Sequence, residues 1–134
     1  MQEVILTEDE LRQLCAEYQR ILRLQDWRVR VKIGRPDPEQ ADDGAYVTYN
    51  TTLRVADILI VAPEYYPTNA MMPQDMEIDL VHELVHLYFA LLGKPSDDTG
   101  KDLLEAAIES IAEAVVNLRR DNHNPGQEPK EQSP

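Results

Sequence analysis

Residues 80–92 read LVHELVHLYFALL, an apolar run into which two histidines and a glutamate are set. The chain has three histidines in 134 residues, and two of them, His82 and His86, stand four apart. That spacing places two side chains on one face of a helix, about 6 Å apart along its axis. The run lacks the strict alternation of a half-buried strand and is far too short to cross a bilayer. It reads as a buried helix, so the rest of the chain must supply layers that cover its apolar faces. Its polar side must open onto something that needs imidazoles.

A divalent metal is the expected answer; the alternative is a metal-free α+β domain in which both histidines are hydrogen-bonded core residues. His82, Glu83 and His86 form H-E-x-x-H, in which two imidazoles from consecutive turns grip one ion. Glu83 projects beside the ion, where it can take a proton from a water that the metal has acidified. Zinc is the expected ion. A catalytic zinc takes a third protein ligand and keeps one position open. Glu105 follows His86 by nineteen residues, in the run EAAIE, and Glu109 lies one helical turn further on. A helix, a short turn and an antiparallel return would bring either of them beside the histidines. Glu113 continues the i, i+4, i+8 series, the pattern of an ordinary solvated stripe, so spacing alone leaves the third ligand open between Glu105 and Glu109.

The remaining segments supply the covering layers. Thr7 followed by Glu10 is a capping box, and Leu11, Leu14, Tyr18, Ile21 and Leu22 recur at helical spacing to about Leu24. WRVRVKIG, from Trp27, alternates apolar and basic residues and reads as a half-buried strand. RPDPEQADDG is a loop by its Pro, Asp and Gly content. Two further strands are expected near 45–50 and 56–62, followed by a proline-punctuated connection. The histidine-bearing helix is expected from about Gln74 to Leu92, with Gly93 as its stop. DLLEAAIESIAEAVVNLRR is the final helix. The expected fold is α+β, one domain over residues 1–122 with a small twisted sheet of about three strands. Residues 123–134 are too polar to offset ordering entropy and are expected to form a disordered tail.

Charge and cysteine content narrow the class. With 25 acidic against 13 basic residues the formal net charge is −12. That excludes nucleic acid and anionic membrane as main partners, because phosphate binding is built on clustered Lys and Arg. Cys15 is the only cysteine, so neither an intrachain disulfide nor a multi-thiolate zinc site can form. The N-terminal MQEVILTEDE lacks the basic and apolar regions of a secretory signal, and the expected location is cytoplasmic.

H-E-L-V-H followed by a glutamate-bearing helix resembles the gluzincin branch of zinc metallopeptidases. Given the chain's length, it is most similar to minimal gluzincins and to small metallopeptidase-like proteins of phages. The motifs that carry the resemblance span residues 82–109. It implies His82, His86 and Glu105 as metal ligands, Glu83 as general base, and Glu109 as the acid supporting a ligand histidine, a position usually held by Asp. It implies zinc as cofactor, a peptide or protein as substrate, and an extended peptide adding to the strand nearest the site, ILIVA. Metzincins are excluded because Phe89 and Leu92 stand where their Gly and His belong. Di-iron bundles need a second E-x-x-H. A carbonyl-polarising His or Tyr completes such sites, and Tyr65, Tyr66 and Tyr88 are the candidates for that oxyanion-stabilising role. The rival expectation is a zincin-fold protein that holds metal or a partner in a regulatory or structural role and cleaves nothing. His123 is expected to be exposed rather than a ligand.

Overall fold

A computed structural model describes residues 2–93 and 95–123. Helix α1 spans Glu8–Ile21, and its start is held by the expected reciprocal bonds: Glu10 N donates to Thr7 Oγ1 at 3.1 Å and Thr7 N to Glu10 Oε1 at 2.9 Å. Strands β1 (Arg28–Gly34), β2 (Ala45–Asn50) and β3 (Val55–Val61) form one sheet. Helix α2 is Met76–His86 and helix α3 is Asp98–His123. The protein is a small α+β domain of an N-terminal helix, a three-stranded mixed sheet and two further helices.

The apolar run of α2 lies where it must. Met76, Leu80, Val81, Leu84 and Val85 are all fully buried, and α2 touches α1, α3, β2 and β3. Fully burying each such side chain contributes roughly 1.5–3 kcal/mol relative to exposure. The sheet meets this layer through Val31, Ala56, Ile58 and Ile60, while Asp57 on the alternate face pairs with Arg30 in water. Leu11, Cys15 and Tyr18 from α1 and Ile108, Ala112 and Val116 from α3 close the same core.

Sheet order corrects one expectation. The strands lie in the order β1-β3-β2, with β3 parallel to β1 and antiparallel to β2. ILIVA falls in and just after β3, the central strand, whose backbone is satisfied on both sides, so it offers no edge to a peptide. Among the described residues the edges are β1 and β2, each paired only with β3, and it is β2 that lines the cleft at the histidines.

Two helix boundaries also differ. The α-helix of the central run stops at His86, and Leu87–Leu92 winds on as a tighter 3-10 segment. There the chain leaves the core: Leu87 is buried, Leu91 and Leu92 are exposed, and the Tyr88 hydroxyl donates to the carbonyl of Leu22 at the end of α1. Gly93 ends the segment at φ 78°, in the left-handed region that glycine enters without strain. The final helix begins at Asp98 rather than Asp102, because Asp97 caps it. Gly100 N donates to Asp97 Oδ1 at 2.7 Å and Lys101 N to the Asp97 carbonyl at 3.1 Å. At its other end α3 runs through His123, which is exposed. Residues 124–134 of the expected tail lie outside the described residues.

A buried charge cluster pins α3 against α2. Glu77 is 6% exposed and accepts from the Tyr18 hydroxyl, from Arg119 Nη1 at 3.4 Å and from Arg120 Nε at 3.2 Å. Arg120 also grips Asp75 at 2.9 and 3.0 Å, and Arg119 forks onto Glu17 at 2.7 and 2.8 Å. Bidentate guanidinium–carboxylate geometry of this kind fixes direction as well as distance.

Candidate metal centre

Asp79, His82 and His86 fall at i, i+3 and i+7 on α2, one stripe of side chains turned away from the sheet-facing residues. Helix α3 returns antiparallel across that stripe. Glu105 meets both histidines: its Oε2 lies 2.9 Å from His82 Nε2 and its Oε1 lies 2.9 Å from His86 Nε2. Glu109, a turn along, lies 2.8 Å from the other nitrogen of His82, Nδ1. The rings of His82 and His86 are 5.2 Å apart, centroid to centroid.

These residues fit a divalent ion. One donor atom from each of His82, His86 and Glu105 lies within 4.8 Å of the other two, so the three form a group able to hold a metal. Zinc bonds of about 2.1 Å at tetrahedral angles separate neighbouring donors by roughly 3.4 Å. Separations of 2.9 Å between carboxylate and imidazoles therefore need to open by only a few tenths of an ångström. With its proton on Nδ1, held by Glu109, the His82 ring turns the Nε2 lone pair toward the shared centre.

Electrostatics in the cluster are strongly biased. Glu83 is 7% exposed, and burial, aided by Glu105, Asp79 and Asp43 against the opposing pull of His82, pushes its carboxyl up to about 8. Burial alone would lower His82, but Glu83, Glu109 and Glu105 outweigh it and raise the ring above its ordinary value. His86 goes the other way: burial and the neighbouring His82 lower it despite Glu105. Asp79 is pushed up to about 7 by burial, with Asp75 and Glu109 adding to the shift against His82, and its Oδ2 is buried without a partner among the described residues. The site has an excess of carboxylates that a cation would relieve.

The histidines and Glu105 stand in a cleft of about 1040 Å³, whose opposite wall is β2 with the residues before it, from Asp42 to Tyr49. Tyr65, Tyr66 and Tyr88 are not among its lining residues. Tyr65 lies under the Arg35 guanidinium, Tyr66 packs beside Gly44 near the cleft-lining Asp79, and Tyr88 is committed to Leu22. The cleft tyrosines are Tyr46 and Tyr49.

Sequence reasoning missed Asp43, Asp79 and the β2 wall. Asp79 carried a signal, since it shares the helical stripe of His82 and His86. Asp43 carried none, because a loop acid among Asp and Gly neighbours is indistinguishable from turn chemistry. Comparison with models of protein families, with curated proteins and with solved structures gave no match to this chain.

Proposed function

We propose that the protein is a zinc-dependent peptidase of the gluzincin type. The observation that carries this reading is the convergence of His82, His86 and Glu105 on one point, with buried Glu83 beside it at the floor of an open cleft. Zinc bound there supplies Lewis acidity that acidifies water and polarises a carbonyl. His82 and His86 would present Nε2 to the ion and Glu105 would complete the protein ligands, with Glu109 at His82 Nδ1 favouring the tautomer that leaves Nε2 free. Glu83 takes the proton of the water that attacks the scissile carbonyl. It passes that proton to the departing amine nitrogen as the C–N bond breaks, leaving a carboxylate and a free amine. Positive charge at the site brings Glu83 back toward the carboxylate its role requires.

The wall opposite Glu83 gives the substrate its place. The unpaired edge of β2 borders the cleft, and an extended peptide adding there would lie across the metal ligands, its backbone paired to Ala45–Tyr49. A second reading, a zincin-fold protein that holds metal or a partner without cleaving it, is favoured by one observation: none of Tyr65, Tyr66 and Tyr88 lines the cleft.

Glu83→Gln separates the two readings. We expect it to retain zinc and to lose cleavage of a mixed peptide library read by mass spectrometry, because an amide cannot accept the proton. Full cleavage by the variant removes Glu83 from the mechanism. A zinc-loaded wild-type chain that cuts nothing in the library supports the non-cleaving reading.

A further inference from the structure

The outer face of α3 is unlike the rest of this acidic chain. Leu103, Ala107, Ile111, Ala114 and Leu118 are all exposed, Leu103 by 67% and Leu118 by 63%. At about 100° per residue, the other four project within about 40° of Ala107 around the helix. The only charged residues among the exposed positions of 103–118 are Glu105 and Glu113. These point away, about 160° and 120° around from Ala107. In a chain of net charge −12 this face carries no charged side chain between residues 103 and 118, the first acid on it being Asp121 beyond Leu118.

The order of side chains on this face is the same read from either end. Leu103 and Leu118, and Ala107 and Ala114, are each placed symmetrically about the point between Ser110 and Ile111. Two antiparallel copies of α3 crossing at that point set each Leu103 opposite the other copy's Leu118, and each Ala107 opposite its Ala114. That is the self-complementarity of a twofold interface. The alanines, seven residues apart, keep the heptad seam and let the two backbones approach closely, while the leucines seal its ends. Residues 124–134 contain no Ala, Val, Ile, Leu, Met or aromatic side chain.

We infer that α3 pairs with α3 of a second copy of this chain, antiparallel and centred between Ser110 and Ile111, to form a homodimer. Because Glu105 is turned almost opposite to the seam, both metal centres stay open in the dimer. From residue 103 to 118 the seam is about 22 Å long, shorter than a standard interface of about 800 Å² per partner requires. The dimer is therefore weak, with a dissociation constant on the order of micromolar or above.

Sedimentation equilibrium of the full chain from about 5 to 500 μM tests this. We expect the mass to climb from 15.3 kDa toward twice that value. Ala107→Glu, at an exposed helical position, should raise the dissociation constant about tenfold or more by filling the small-residue gap and placing charge in the seam. Its circular dichroism and zinc content should stay unchanged. For direction, an equimolar mixture of Leu103→Cys and Leu118→Cys chains should oxidise to the mixed disulfide, while Leu103→Cys alone should not cross-link efficiently. Buried Cys15 does not compete. A monomer at every concentration, a dimer indifferent to Ala107→Glu, or efficient Leu103→Cys self-linkage would each overturn the inference.

Discussion

Glu105 and Glu109 differ by one helical turn, yet the structure gives them different work, and replacing each with Ala measures the difference. Glu105 approaches Nε2 of both histidines, at 2.9 Å each, whereas Glu109 reaches only Nδ1 of His82, at 2.8 Å. Zinc binding by small protein sites is worth about 10–16 kcal/mol in total. Shared over four coordination positions, that is roughly 2.5–4 kcal/mol per ligand, or about 10²–10³-fold in affinity. Losing a group that only orients a ligand histidine weakens binding by about 10–100-fold. Competition for zinc against a fluorescent chelator, at fixed pH, resolves these ranges. Glu105→Ala should be nearly empty at micromolar zinc, while Glu109→Ala fills at moderately higher concentration. The reverse order would put Glu109 on the metal and shift the assignment by one turn. Equal, wild-type affinity in both variants would place the third ligand elsewhere and remove the gluzincin reading.

Removing zinc by chelation should lower the melting temperature, because an ion bound only by the folded chain stabilises it by mass action; an identical melting curve with and without chelator would exclude a resident metal. Asp79→Asn should stabilise the metal-free protein at pH 8 but not at pH 4. An acid whose folded value is about 7 against 3.8 costs nothing below 3.8, then about 1.4 kcal/mol per pH unit up to its folded value, and nothing further above it. The ceiling is about 4 kcal/mol, and relaxation around the site should leave roughly 1–3. Urea unfolding of both proteins at the two pH values reads this directly, and a variant no more stable at pH 8 would show that Asp79 is solvated or paired.

What the sequence reveals of this fold is what short-range chemistry decides. Thr7 and Glu10 cap α1 as expected, Gly93 ends the segment after α2, and His82 and His86 face one way because four residues make one turn. What it conceals depends on partners distant in the chain. Nothing in AYVTYN or VADILIV says which of them takes the middle of the sheet; that follows from β3 pairing with β1 on one side and β2 on the other. The misplaced peptide edge follows from the same ignorance. DDTG reads as a turn because Gly100 disfavours helix, yet the Asp97 cap carries the helix through it. Tyr88 sits in an otherwise credible position beside His86, and only the carbonyl of Leu22, 66 residues away in sequence, turns it elsewhere.

The choice between Glu105 and Glu109 shows how the two kinds of information meet. Acids at 105, 109 and 113 repeat every four residues, so sliding α3 by one turn against α2 would again put an acid opposite each histidine. The site alone cannot specify its own register. It is specified about ten residues further along α3, where Arg119 and Arg120 reach Glu77 on α2 and Asp75 at its N-cap, and Arg119 also grips Glu17 on α1. One turn of slippage moves these guanidiniums about 6 Å, which would leave Glu77 buried with its charge uncompensated. Ile108, Ala112 and Val116, all fully buried, would be displaced with them. The His82–His86–Glu105 group that could hold a metal is thus set in register by an ion cluster and a packed seam outside it. The same helix that delivers Glu105 inward at that register leaves Leu103, Ala107, Ile111, Ala114 and Leu118 outward. Its sequence therefore satisfies a candidate metal site and a core on one side and an exposed apolar face, uncharged from residue 103 to 118, on the other.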